Sequence, residues 1–175
     1  MSYYAVATSL IGLVGDYLFA DRRSQDQASA ETLAVEAAPL YAQARMEELQ
    51  TLLEDSGGEL GGRLMVLDTS GKVQADSYSE LNGSRVELPE VASILLEGKT
   101  FDYGVHQLGS QQSLTIFSFL IPLDADAEWV GYCTAALTRD GATVGLLLFS
   151  SPIQDMMQRL TSLQKRMALY FIIAA

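Results

Sequence analysis

Between residues 24 and 55 the apolar positions recur at steps of three or four. Val35, Ala38, Ala42, Met46, Leu49 and Leu53 form one stripe, and Leu33, Ala37, Tyr41 and Ala44 widen it. Polar Gln43, Glu47, Glu48 and Gln50 take the other side. This period predicts an amphipathic helix. Pro39 falls inside the pattern, which predicts a kink there or a helix that starts there. Four glycines in Ser56–Gly62 then read as a flexible connector, with no Lys-Ser/Thr after them to make a phosphate cradle. At Arg63 the period changes to two. Strand patterning covers Arg63–Asp68, Val73–Asp76, Thr100–Leu108, Ser113–Pro122, Val130–Arg139 and Thr143–Ser150. Thr69–Lys72 and Asp140-Gly141 are turn signals. Pro89–Glu97 predicts a short helix, with Pro in its first turn, Val91, Ile94 and Leu95 apolar, and Gly98 as the stop. After Ser151-Pro152 the helical period returns in Met156, Leu160, Leu163, Met167 and Tyr170. The expectation is an α+β domain with a five-stranded antiparallel sheet across residues 63–150 and long helices at both termini. Leu114–Leu120 is apolar on both parities, so that strand is expected to be covered on both faces.

The two ends are the most apolar stretches. Residues Met167–Ala175 carry no charge and, as helix, reach only about 14 Å against a ~30 Å hydrocarbon core. They read as the first half of a membrane span. Tyr3–Ala20 is also apolar but is interrupted by Asp16, and no basic residues precede it as a secretory signal requires. It reads as the end of a preceding span, or as an amphipathic helix with Leu10, Leu13, Val14, Tyr17 and Leu18 on one face. The expected organisation is therefore a membrane-proximal segment at 1–23, a folded domain at 24–152, and an exit helix at 153–175 leading into a second span. Arg22-Arg23 and Lys165-Arg166 at the apolar flanks are not what the positive-inside rule favours for an outer loop, while the acidic middle suits an exposed outer domain.

Charge narrows the function classes. A formal net charge of −11 over 175 residues, with no basic cluster, argues against nucleic acid as a partner. One Cys (Cys133) and one His (His106) exclude a disulfide framework and a Cys/His zinc site. No nucleophile elbow, zinc-protease helix or dinucleotide fingerprint is present, so no catalytic set and no cofactor are expected. Asp124-x-Asp-x-Glu128 resembles the opening of a calcium loop, but Trp129 stands where the sharp-turn Gly belongs and Ala135 where the closing Glu belongs. His106 falls in a strand on the parity of Asp102 and Leu108. Tyr103 and Tyr132 lie mid-strand in apolar patterns and suit either a ligand-pocket wall or an ordinary core. Arg85 is the sole base between Lys72 and Lys99 and follows a Gly-Ser turn. It is either a charge aimed inward for an anionic ligand or a solvated partner of Glu87. The expected pocket lies between the sheet and residues 78–98, with Arg85, Tyr103 and Tyr132 as its ligand-binding residues. The Ala-rich stripe of the long helix suits close packing, on its own domain or as the seam of a homodimer.

Two stretches carry a family resemblance. Arg63-Leu-Met-Val-Leu-Asp-Thr-Ser-Gly-Lys-Val-Gln-Ala-Asp-Ser77, followed by Leu81-Asn-Gly83, resembles the first hairpin of the extracytoplasmic PAS-like (Cache-type) sensor domains of bacterial sensor histidine kinases. Arg139-Asp-Gly-Ala-Thr-Val-Gly-Leu-Leu-Leu-Phe-Ser-Ser-Pro-Ile153 resembles their last hairpin and its exit toward the second membrane helix. The resemblance spans roughly residues 24–175. It implies a PAS-like sheet, a small-molecule or ion signal, membrane attachment through the flanking helices, a site outside the cytoplasm, and an output module elsewhere: a two-component kinase or a chemoreceptor. The same element order also describes roadblock/longin-like domains, cytosolic scaffolds that partner small GTPases.

Overall fold

The structure is a computed structural model and describes residues 2–108 and 128–174. In chain order the elements are α1 (Ser2–Ala42), α2 (Met46–Leu60), β1 (Arg63–Leu67), β2 (Val73–Asp76), α3 (Pro89–Glu97), β3 (Phe101–Gln107), β4 (Trp129–Arg139), β5 (Ala142–Pro152) and α4 (Gln154–Ala174). The class is α+β, and the sheet is five-stranded in the order β2-β1-β5-β4-β3. The antiparallel register of β1 on β5 runs from Arg63 opposite Ser150 to Leu67 opposite Leu146. The stretch Ser113–Pro122, expected as a strand covered on both faces, and the loop at 124–127 lie outside the described residues.

The chain divides into two compact units. One comprises residues 23–104 and 131–152; the other comprises 1–22, 105–130 and 153–175. In the first, the sheet has an apolar cluster on each face. On one face Leu64, Val66, Cys133, Ala135, Leu137, Leu147 and Phe149 pack with Ala30, Leu33, Ala34, Ala37 and Ala38 of α1 and with Leu49 and Leu53 of α2. On the other face Met65, Leu67, Val73, Leu146 and Leu148 pack with Val91 and Ile94 of α3. In the second unit the N–H of Ile153 donates to the carbonyl of Trp129 at 3.2 Å, and the N–H of Trp129 donates to Gln154 Oε1 at 3.3 Å. None of the described helices is long and apolar enough to cross a membrane.

Two expectations about the helical region need correction. The period over 24–55 is not one helix. α1 ends at Ala42, and a turn through 43–45 separates it from α2. Pro39 lies inside α1 and its carbonyl takes the regular helical bond from Gln43 N–H at 3.1 Å; the helix ends where Ala44 turns to φ 56° and the N–H of Arg45 bonds back to the Leu40 carbonyl at 2.9 Å. The glycines at 56–62 are not a loose connector either, because α2 runs through them to Leu60. Gly57 is buried, and at Gly62 a Cβ would stand 2.5 Å from a ring carbon of Phe149 and 2.5 Å from the Ser150 carbonyl. Gly62 is present because the chain must pass directly over β5.

The route from β2 to α3 is held by one buried carboxylate. Asp76 takes Arg63 Nε at 2.8 Å and Nη2 at 2.5 Å. It also accepts the backbone N–H groups of Tyr78 at 3.2 Å, Glu80 at 3.0 Å and Leu81 at 2.9 Å. The Arg63 guanidinium stacks 5.1 Å from the Tyr78 ring and pairs with Glu80 at 3.2 Å. Burial pushes the Asp76 carboxyl up, but Arg63 and the N–H groups of Leu81 and Tyr78 outweigh it and hold it below the usual range.

Urea denaturation of three variants checks this packing. Gly62→Ala should cost about 1–3 kcal/mol in urea denaturation, the scale of overpacking a fixed site. Gly58→Ala, where nothing lies within 4 Å of the added methyl, should be neutral or stabilise by up to about 1 kcal/mol. Asp76→Asn should cost about 3 kcal/mol at neutral pH by leaving Arg63 incompletely paired. Because the folded carboxyl is depressed, its contribution is full above the unfolded value of about 3.9 and is lost as pH falls through the lower folded value. The wild-type urea midpoint should therefore drop on acidification below about pH 4, with a shallower drop in Asp76→Asn.

Candidate functional site

Polar groups gather on the α3 face of the sheet. Alternation along β4 sends Tyr132 and Ala136 to the α3 cluster and Cys133, Ala135 and Leu137 to the opposite one. Thr134 shares the parity of Tyr132 and Ala136 and is fully buried, yet its hydroxyl makes no hydrogen bond. Above it, α3 starts as its sequence dictates. Pro89 occupies the first turn with Glu90 beside it, and Gly98 closes the helix at φ 71°. Glu90 is only 5% exposed, unusual for a first-turn carboxylate, which normally faces water. The Ser93 hydroxyl stands 2.9 Å from the Glu90 carbonyl and has one proton to give, to that carbonyl or to the Asp102 carboxylate.

The electrostatics are negative and acceptor-rich. Burial raises the Tyr132 phenol, and the charge of Glu90 raises it further. Burial also pushes Asp102, at the start of β3, upward. The Ser93 hydroxyl, the N–H of Tyr103 at 3.0 Å and the ammonium of Lys99 outweigh that and leave it depressed. Lys99 lies 3.5 Å from Asp102 and 3.1 Å from Glu97. The set formed by Glu90, Ser93, Asp102, Tyr132 and Thr134 can orient a small polar molecule by hydrogen bonds. It pairs no nucleophile with a base. Among the described residues no group of three or more His, Cys, Asp or Glu is placed to hold a metal ion.

The three residues expected to form one pocket are not brought together. Tyr132 belongs to the site. Tyr103 packs on the α1/α2 cluster, on the opposite face of the sheet. Arg85 is exposed and donates Nε and Nη2 to the Ser70 carbonyl at 3.1 and 3.0 Å. It fastens the segment at 83–86 to the β1–β2 turn, where Val86 N–H also bonds Gly71 at 2.9 Å. His106 is a partly buried residue of β3 in the other unit, and Glu128 is exposed. The residues missed were Glu90 and Thr134. Thr134 is signalled by its parity with Tyr132 on one strand. Nothing in the chain signals the burial of Glu90, which depends on how α3 lies on the sheet.

A groove of about 650 Å³ lies along α1, bordered by its Ala34, Val35 and Ala38 and by Thr100, Ala135 and Thr138. Val35 is 76% exposed beside it. Of the alanine stripe, which suited packing on its own domain or a homodimer seam, Ala37 and Ala38 lie against the sheet and Ala42 is exposed.

No protein-family model matches the chain, and comparison with curated proteins gives no match.

Thr134→Val removes a buried hydroxyl that has no partner, so it should leave stability unchanged or raise it by about 1 kcal/mol in urea denaturation. Glu90→Gln should lower the Tyr132 titration point, followed by NMR, while leaving it above the ordinary value, because burial, the larger cause, persists.

Proposed function

We propose that this chain is the signal-sensing domain of a membrane-bound bacterial sensor histidine kinase. In this reading it lies outside the cytoplasm, works as a homodimer, and is a detector rather than a catalyst. The observation that carries the reading is the pairing of β1 with β5. The two stretches that resemble the first and last hairpins of PAS-like (Cache-type) sensor domains are distant in sequence, yet they form adjacent strands. In this reading the α3-side polar set receives a small polar signal. Its buried, unpaired Thr134 hydroxyl is a group that a bound molecule would satisfy. Binding shifts the balance between two arrangements of the helices that flank the sheet, by no more than the ligand's difference in affinity for them.

A thermal-shift panel of small metabolites and ions tests this on the whole chain. A true signal at about a hundred times its Kd adds about 2.7 kcal/mol. That should raise Tm by about 5–10 °C. Tyr132→Phe and Thr134→Val should reduce the shift while the unliganded proteins stay folded. Full shifts in both variants would move the site elsewhere. A chimera carrying residues 24–175 on a reporter kinase, silent under every condition, would count against sensing itself.

A further inference from the structure

The helix α1 touches β5 at two points. Near its C-terminal end, Tyr41 lies over Gly145, where an added Cβ would stand 2.9 Å from the ring. Fifteen residues earlier, Asp26 accepts a hydrogen bond from the Ser151 hydroxyl at 3.2 Å, with Asp26 5% exposed and Ser151 fully buried. The spacings agree. Fifteen helical residues span about 22 Å, and the six strand residues from Gly145 to Ser151 span about 20 Å. Cys133 of β4 adds a weaker contact, its thiol 3.5 Å from the Asp26 carbonyl.

Between these points α1 presents the sheet with a smooth surface. Ala30, Ala34 and Ala38 follow Asp26 at steps of four and are all buried, with Leu33 buried beside them and Leu40 and Tyr41 packed on the same cluster. Sliding the helix by one turn, ~5.4 Å, replaces each of these alanines by another, but it also lifts the Tyr41 ring off Gly145 and exchanges Leu33 with Ala37. The same slide sets Ala30 opposite Ser151 and leaves a buried carboxylate and a buried hydroxyl without each other. The alanine ridge itself defines axial position weakly; the Tyr41 ring on Gly145 fixes it at one end and the polar contact at the other, as a buried polar residue fixes register in paired helices.

We propose that the Asp26–Ser151 hydrogen bond is a register latch that makes α1 and β5 move as one body. Asp26 lies close to where α1 enters this unit, and Ser151 lies just before the chain leaves it toward α4. A displacement of the entering helix thereby becomes a discrete step at the exit strand rather than a continuous slide. The latch needs no ligand, so it stands or falls separately from the sensing role and is tested without one.

The test is amide hydrogen exchange on the full chain, comparing wild type with Ser151→Ala, Asp26→Ala, the double variant and Asp26→Asn. Loss of a charged hydrogen bond is expected to speed exchange about tenfold or more, in residues 24–34 of α1 and in residues 147–151 of β5 together. The double variant should add nothing to Asp26→Ala, and Asp26→Asn, which keeps an acceptor oxygen, should retain most of the protection. Protection in β2 and α3 should stay at the wild-type level, and in β1 it should change only across Arg63–Val66, the residues paired with 147–150. If Ser151→Ala leaves α1 exchange unchanged, or if exchange rises equally throughout the sheet and α3, the latch is overturned. Should Asp26→Ala fail to fold, the Ser151→Ala and Asp26→Asn pair decides by the same criteria.

Discussion

The constraint on which the fold depends is the burial of β5 on both faces. Leu146, Leu147, Leu148 and Phe149 are consecutive and all at most 2% exposed. Alternation sends Leu147 and Phe149 to one side and Leu146 and Leu148 to the other. Each such side chain contributes about 1.5–3 kcal/mol when fully withdrawn from water. A strand of this kind is stable only at the centre of a sheet with a helical layer on each face, as in the near-continuous apolar runs of fully covered strands. β1 and β4 flank it, α1 and α2 cover one face, and α3 covers the other. The demand for close cover also explains Gly62 and Gly145, where neighbouring backbone or ring atoms leave no room for a side chain.

Around this apolar centre, acids do specific work in a chain that is strongly acidic. Asp76 gathers Arg63 and three backbone N–H groups and so sets the path out of β2. Asp68 does the same for the β1–β2 turn, taking the N–H groups of Ser70 at 2.8 Å and Lys72 at 3.0 Å. These carboxylates are compensated by several donors, so burial does not neutralise them. The α3 side differs in kind. There the Thr134 hydroxyl is buried without a hydrogen bond.

The two faces divide the labour in the proposed reading. The α3 face offers polar groups to a signal, while the α1 face carries the contacts that set helix position. β4 and β5 belong to both. Tyr132 and Thr134 face α3 while Cys133, between them, touches the backbone of Asp26 on the far side. A change in strand geometry at the polar set thus has a short physical route to α1, through residues adjacent in one strand.

How much of this was legible in the chain depended on the range of the interaction. The sequence by itself determined what short-range rules govern. Pro89 and Gly98 bound α3, the Asp140-Gly141 turn takes φ 52° and 80° as a tight hairpin requires, and period-two patterning located the five described strands within a few residues. It did not determine the break between α1 and α2, because the apolar period continues through it while the ladder does not. Nor did it determine that Arg85 would bind the Ser70 carbonyl rather than point inward, since that depends on the segment at 83–86 folding back along β2. Parity orders side chains within one strand, but the register between strands is a tertiary fact. For that reason Tyr103 and Tyr132 looked equivalent in the sequence and stand on opposite faces of the sheet. The burial of Glu90 and the meeting of Asp26 with Ser151 belong to the same class. Each joins groups far apart in the chain, and only the packing of helices on the sheet decides which polar side chains are withdrawn from water together.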